Sequence, residues 1–313
     1  MKLIEAINKF SAWRTFNVKP GTVRGYDREL RNFCLFLRNP DVERVTINDV
    51  TDYLSGMREL GWDENGFIPR CMALRKFFEF CQHLGLPALD ASLIPVPRKT
   101  YKIPRVADEE TYRKLLGVIP RNNDPRHIRN LAIVRLLWDT GARNGEILAL
   151  NVADVDPRRM RALIGTEKSK GRRPFREIFW THEANESLAR WVAKREELKA
   201  HMVVRDPEAL FLSISSSGLH ERSGSRFTQK GVAEMLRRYA NKAKIPYLNP
   251  HSFRHHLGHE IIRKGGSASD VMNILGHASL QSSSIYTMMS DRELEDRYRK
   301  LASDQTHQPP LGR

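Results

Sequence analysis

The chain has 313 residues, 40% of them hydrophobic, and its 52 Lys and Arg residues exceed its 37 Asp and Glu residues by a formal net charge of +15. This length suits one large domain or two modest ones and is sufficient to bury a core. No apolar run approaches the roughly 18 residues that cross a bilayer, so the composition predicts a globular protein and excludes a membrane-spanning one.

The positive charge is unevenly distributed along the chain. Residues 1–98 hold 14 basic and 12 acidic residues, whereas residues 99–313 hold 38 and 25. A domain with such an excess favours a polyanionic partner, of which nucleic acid is the commonest. Charge alone does not identify the function, because ribosomal proteins, membrane-surface proteins and enzymes share it.

The first 90 residues predict a small helical unit. Apolar residues recur at steps of three and four in segments 22–40, 46–60 and 71–81, which is typical of helices that bury one face. With the opening segment, the pattern predicts about four short helices and no strand.

Cys34, Cys71 and Cys81 all fall within these helical patterns. Their odd number and the absence of zinc-ligand spacing predict reduced, buried thiols. We therefore expect a cytoplasmic protein, associated with the nucleoid if its partner is DNA.

A proline-rich and basic segment follows, with Pro95, Pro97 and Pro104. Proline blocks a continuous helix and favours an extended, stiff connection. We interpret residues 93–106 as a linker after a first domain of residues 1–92. It could be a basic strap across a nucleic-acid groove or a plain solvated linker.

The second domain is predicted to span residues 107–302 and to be mainly helical with a small β-sheet. Asp108 is a good helix N-cap, and the apolar helix after residue 125 should end at Gly141. The further predicted elements are two short strands joined by a basic turn within 159–180, helices at 181–198 and 228–243, a strand at 209–214 and helix up to about residue 302. Residues 303–313 are predicted to be a disordered tail.

Five short motifs occur in a fixed order in this basic domain. They supply Arg143 in TGARNGEIL, Lys168 and Lys170 in the basic turn, His251 and Arg254 in HSFRHH, His277 in LGH, and Tyr286 in IYT, nine residues after His277. Each residue alone more often caps a helix, fills a core or lies in an exposed turn. Their combination points to one chemistry.

That chemistry is phosphodiester transfer without a metal. Two arginines can bind the non-bridging oxygens and stabilise the added charge of the transition state. A tyrosine hydroxyl can attack, and the phosphotyrosine that it forms conserves the bond energy for rejoining. A lysine can protonate the departing 5′ oxygen, and imidazoles can accept the tyrosine proton and hydrogen-bond the phosphate.

These motifs resemble the boxes of the tyrosine recombinase (phage integrase) family, and about forty continuous residues from His251 to Met289 are similar to it. The helical first unit resembles the SAM-like core-binding domain of that family, and the second its catalytic domain. The chain begins almost directly with the core-binding unit, as in simple Xer-type, minimal integrase or resolvase members.

The resemblance implies a role for each matching residue. Arg143 and Arg254 match the two phosphate-binding arginines, His251 the proton acceptor of the H-x-x-R box, and Tyr286 the nucleophile. His277 matches a later histidine, which in relatives can be tryptophan, so hydrogen bonding and packing are its expected role. Glu146 matches an acidic residue that supports the site from behind the arginines.

The general acid is left open between two lysines. The basic turn is a residue or more longer than the family pattern, counted back from the strand REIFW. Lys170, directly before Gly171, fits best, and Lys168 is the alternative. The arginines of the turn are poor proton donors.

The resemblance implies a site-specific recombinase that cuts and rejoins double-stranded DNA through a 3′-phosphotyrosyl intermediate and a Holliday junction, without metal, ATP or another cofactor. Alternatives are a hairpin-telomere resolving or topoisomerase-like enzyme and a non-catalytic DNA-binding relative. On synapsed DNA, the chain is expected to assemble as a homo-tetramer or together with a related recombinase. Leu294, Tyr298 and Leu301 recur at helical spacing, and this stripe packs either on its own domain or on a neighbouring subunit.

Overall fold

The computed structural model describes residues 1–98, 106–165, 175–215 and 223–276. The chain divides into two units, Met1–Ile103 and Pro104–Arg313. Residues 99–105 of the predicted linker, and the predicted tail, lie outside the described residues.

The first unit is helical, as predicted. Its α-helices are α1 (Leu3–Arg14), α2 (Pro20–Phe36), α3 (Ile47–Glu59) and α4 (Glu64–His83). Thr46 and Asp63 cap α3 and α4 by accepting backbone N–H groups with their side chains, which satisfies donors that the first helical turn leaves open.

Aromatic rings fill the core of the first unit. Phe10, Phe33, Phe77 and Phe78 are fully buried, and Phe10 contacts Phe77 edge to face with 5.9 Å between ring centroids. The three cysteines are buried and free, as predicted. Burial raises the pKa of the Cys81 thiol to about 12, so this thiol is not ionised at neutral pH.

The second unit combines helices with a small sheet, so the predicted fold class is confirmed. Its described helices are α5 (Glu109–Gly117), α6 (Pro125–Thr140), α7 (Asn144–Ala149), α8 (His182–Leu198), α9 (Gln229–Ala243), α10 (Pro250–Arg263) and α11 (Ala268–Leu275). Its described strands are β1 (Val155–Asp156), β2 (Arg161–Gly165) and β3 (Phe175–Phe179).

Helix α6 lies at the centre of the second core and packs against α8 and α10. Residues along nearly its whole length are buried, including Ile128, Ile133 and Leu137. It begins after the Asp124 cap and ends, as predicted, at Gly141, which has the left-handed conformation. A helix that is buried along nearly its whole length is enclosed by other elements, and α6 therefore provides a rigid base for the residues that follow Gly141.

The three strands form an antiparallel sheet in the order β1-β2-β3. Arg161 pairs with Phe179 and Gly165 with Phe175, so the two predicted strands are confirmed. The two-residue strand β1 was not predicted. Residues 166–174, which connect β2 to β3 and contain the basic turn, lie outside the described residues.

The predicted strand at 209–214 is wrong. Residues 209–212 are fully buried, but they form only isolated bridges, from Ala209 to Asn151 and from Leu212 to Arg226. Leu210 N–H donates to one neighbouring segment and Phe211 C=O accepts from another. Because its partners alternate between two segments, the stretch forms no continuous ladder. Helical structure is described as far as Leu275, and the predicted continuation to about 302 lies outside the described residues.

Candidate active site

The described chain contains four of the predicted site residues, Arg143, Glu146, His251 and Arg254. The other four, Lys168, Lys170, His277 and Tyr286, lie outside the described residues. The basic turn lies between β2 and β3, and residue 277 directly follows Gly276 at the end of α11.

The glycine that ends α6 positions Arg143. Gly141 has φ +54°, and a Cβ there would lie 2.8 Å from Leu275 Cδ2, so glycine permits both the turn and the close approach. Arg143 then occupies the N-cap of α7 with its side chain 15% exposed. Its Nη1 donates to Glu146 Oε1 at 2.6 Å and its Nη2 to Gly276 O at 3.3 Å. The guanidinium is thus held between α7 and the end of α11.

Glu146 is a fully buried carboxylate shared by two arginines. Its Oε2 accepts from the backbone N–H of Arg143 at 2.9 Å and from Arg176 Nη2 at 3.0 Å. Two guanidinium groups therefore face one carboxylate, and these three side chains together keep one positive charge. That excess suits a site that receives a phosphate.

Arg176 belongs to this site and was not predicted. It lies on β3 with its side chain 8% exposed, two residues before the buried Ile178. Burial lowers the pKa of Arg176, while the neighbouring Glu146 opposes that effect. The sequence contained a signal for Arg176, because side chains alternate along the strand FREIF and residues 176 and 178 therefore share the inward face. An arginine that points inward requires a partner for its charge.

Arg254 is held by main-chain carbonyls. It lies in α10, which begins at Pro250 after the Asn249 cap, and it is 4% exposed. Its Nη1 donates to Gly141 O at 2.9 Å and its Nη2 to Leu275 O at 2.6 Å. These two hydrogen bonds orient the guanidinium without neutralising its charge.

Three arginines converge on three consecutive carbonyls at the carboxyl end of α11. Arg176 donates to Ile274 O at 2.8 Å, Arg254 to Leu275 O, and Arg143 to Gly276 O. The last carbonyls of a helix have no partner within it and form the negative end of its dipole. The donors come from β3, α10 and the N-cap of α7, so these elements together fix the segment that leads to residue 277.

His251 lies exposed in the first turn of α10, one helical turn before His255. Burial, together with the smaller effects of the neighbouring His251, His259 and Arg254, lowers the pKa of His255 to about 4. His255 is therefore neutral at physiological pH. Sequence reasoning selected His251 and missed His255, whose environment depends on how α10 packs.

An aromatic stack fixes α10 against α6 and α5. The Trp138 ring lies between His256, at 3.8 Å between centroids, and Tyr112, at 3.9 Å. Burial lowers the pKa of His256, which favours the neutral ring. The stack holds the helix that carries His251 and Arg254 in register with the helix that ends before Arg143.

This arrangement can bind a phosphodiester, because guanidinium groups hydrogen-bond phosphate oxygens in pairs. Among the residues described, no group of His, Cys, Asp and Glu side chains is placed to hold a metal ion. Nor does the described chain contain a helix long and apolar enough to cross a membrane.

Three features together define a tyrosine recombinase. They are the helical first unit, the mostly helical second unit with its three-stranded sheet, and the arginines that lie before the LGH and IYT boxes. The chain belongs to the phage integrase family, whose model matches residues 105–293.

Comparisons with known proteins agree with this assignment. The tyrosine recombinase XerC of Corynebacterium efficiens is 27% identical over 303 residues, covering 96% of this chain and 91% of that protein. The Tn1549 transposon integrase in complex with transposon right end DNA is 18% identical, with a TM-score of 0.67 and coverage of 96% and 100%. The XerH site-specific recombinase bound to palindromic difH substrate is 21% identical, with a TM-score of 0.64 and coverage of 88% and 78%. The two structures share the fold of this chain.

Proposed function

We propose that this chain is a site-specific recombinase that cleaves and rejoins DNA strands through a 3′-phosphotyrosyl intermediate and a Holliday junction. The observation that carries the proposal is the convergence of Arg143 and Arg254 on the end of α11. That end lies directly before His277 and ten residues before Tyr286. The names of the similar proteins, a tyrosine recombinase and a site-specific recombinase, support it.

Arg143 and Arg254 bind the non-bridging oxygens of the scissile phosphate. Both guanidinium groups are largely buried and fixed by hydrogen bonds on one side, so little reorganisation is needed when the phosphate acquires charge. Such pre-oriented donors stabilise the transition state more than the ground state. Their main effect is therefore on the rate of cleavage and less on DNA affinity.

Tyr286 attacks the phosphorus, and its phenolic oxygen forms the new bond as the 5′ oxygen of the DNA leaves. His251 accepts the tyrosine proton, and its exposed position on α10 leaves it accessible to DNA. Lys170 protonates the departing 5′ oxygen, with Lys168 as the alternative. His277 hydrogen-bonds the phosphate, and the reverse sequence of steps rejoins the strand.

The macromolecular partner is double-stranded DNA. The net charge of +13 on residues 99–313 provides the phosphate contacts on which such binding depends. Two similar structures support this partner, because the Tn1549 transposon integrase is in complex with transposon right end DNA and the XerH recombinase is bound to palindromic difH substrate. We further propose that the active assembly on synapsed DNA is a tetramer of this chain, or of this chain with a related recombinase, in the cytoplasm at the nucleoid.

The test begins with selecting the DNA that the purified protein protects from nuclease digestion. That site is then made with a nick close to the scissile phosphate, so that cleavage releases a short fragment and traps the covalent adduct. The wild-type protein should form an adduct in the presence of EDTA. Tyr286→Phe should bind the same DNA with unchanged affinity and form none.

Tyr247→Phe is the matched control, because it removes one phenolic oxygen from the same unit outside the proposed site. It should form the adduct at the wild-type rate. An adduct that persists in Tyr286→Phe, or one that is lost in both variants, would contradict the assignment of the nucleophile.

A further inference from the structure

We propose that Arg176 is a positioning residue for strand cleavage. It holds Glu146, and through Glu146 the guanidinium of Arg143, in the orientation that receives the scissile phosphate. It also fixes the end of α11 to β3. This inference rests on the proposed recombinase function and assigns Arg176 no contact with DNA.

The first part of the argument concerns charge. Glu146 is fully buried and has Arg143 on one oxygen and Arg176 on the other. Without Arg176, the buried carboxylate would have Arg143 as its only charged partner among the described ion pairs, and it would neutralise that guanidinium more completely. A neutralised Arg143 stabilises the developing negative charge on the phosphate less well. Arg176 thus preserves the positive charge of Arg143 for the phosphate.

The second part concerns the end of α11. Arg176 Nη1 donates to Ile274 O at 2.8 Å. Gly276 has φ +69°, and a Cβ there would lie 2.6 Å from Arg176 Nε. The guanidinium therefore lies against the main chain just before residue 277. It links the strand that follows the lysine-bearing turn to the segment that leads towards His277 and Tyr286.

The third part concerns the type of side chain. One planar guanidinium serves Glu146 and Ile274 O simultaneously through two different nitrogens. A lysine keeps the charge but presents a single flexible ammonium without this fixed fork. We therefore expect Arg176→Lys to retain part of the function and Arg176→Gln to lose more of it.

The experiment measures DNA affinity and, at saturating DNA, the rate of covalent adduct formation on the nicked substrate. Arg176→Gln should form the adduct roughly 10- to 100-fold more slowly, since small misplacements of reacting groups have effects of that order, while its Kd should stay close to the wild-type value. Arg176→Lys should give an intermediate rate. Arg161→Gln is the matched control, because it breaks a partly exposed ion pair with Glu177 in the same hairpin, and its rate should be unchanged.

A double variant distinguishes positioning from general stabilisation. If Arg176 acts through Glu146, the combined Arg176→Gln and Glu146→Gln changes should slow the adduct step by less than the product of the single effects. Thermal melting of every variant sets a common assay temperature at which all are folded. Arg176→Lys keeps the test informative if the glutamine variant does not fold.

Three results would overturn the inference. They are a wild-type adduct rate in Arg176→Gln, a weakened Kd with an unchanged rate at saturation, and fully multiplicative effects in the double variant. Failure of the proposed function is recognised separately, because the wild-type protein itself would then form no adduct with Tyr286.

Discussion

Replacing Arg254 with lysine separates the structural role of this side chain from its proposed role in catalysis. The arginine is 4% exposed and hydrogen-bonds Gly141 O and Leu275 O. Lysine preserves the charge but lacks the second, rigidly placed donor arm. We expect the variant to keep one of the two hydrogen bonds and leave the other carbonyl without its donor.

The loss of one hydrogen bond from a charged donor costs about 1.5–3 kcal/mol in the free energy of unfolding. The unit Pro104–Arg313 has 210 residues, and at this size each kcal/mol corresponds to roughly 2–4 °C. The melting temperature of this unit should therefore fall by about 3–12 °C. The adduct rate should fall by about 100-fold or more, as for the removal of a pre-oriented donor to a developing oxyanion.

The assay combines thermal unfolding, followed by circular dichroism, with adduct formation on nicked DNA at a temperature where the variant is folded. Arg195→Lys is the matched control. Arg195 lies on α8, outside the proposed site; it is 1% exposed and donates to the carbonyls of Ala209 and Pro207. It should lose stability to a similar extent and keep its adduct rate. Equal loss of rate in both variants would refute the catalytic role of Arg254.

Three further predictions concern the lysines, the pH dependence of stability and the carboxyl end. A 5′-phosphorothiolate substrate, whose leaving group needs no proton, should rescue Lys170→Ala, whereas Lys168→Ala should be only mildly impaired on normal DNA; the opposite pattern would transfer the role of general acid. His255 has a folded pKa of about 4 against an ordinary 6.5, so the unfolded state binds more protons between these values and stability should fall as pH drops from 6.5 to 4. His255→Gln should flatten that fall in urea titrations, and an unchanged slope would contradict the attribution. Truncation after Met289 should leave binding to single sites intact but reduce cooperative binding to paired sites, as measured by gel shift. If the truncated protein assembles normally on paired sites, the apolar stripe of Leu294, Tyr298 and Leu301 packs on its own domain.

The sequence predicted the elements whose signals are local. The glycine after α6, the Asp108 cap and the two short strands β2 and β3 depend on a few neighbouring residues, and each lies where the sequence pattern predicted. The stretch 209–214 was misread because apolar composition reveals burial but not the number of partner segments.

The site residues that the sequence did not predict depend on contacts between distant segments. Arg176 is 30 residues from Glu146 and 98 from Ile274, so only the folded chain shows that one side chain serves both. His255 lies within a recognised motif, but its depressed pKa results from burial together with three neighbouring groups. Motif matching identifies residues by type and order, and it does not report their burial.

The contacts at the end of α11 have a consequence for which substitutions the site tolerates. All three arginines bind main-chain oxygens there, so the contacts do not depend on which side chains residues 274–276 carry. Ile274 is 47% exposed and should accept many residues, whereas the fully buried Leu275 should accept only apolar ones. Gly276 should accept none, since it combines a positive φ with the approach of Arg176. This can be tested with a library in which the three codons are fully randomised and active recombinases are selected. The selected variants should carry many residues at position 274, only apolar residues at 275 and only glycine at 276.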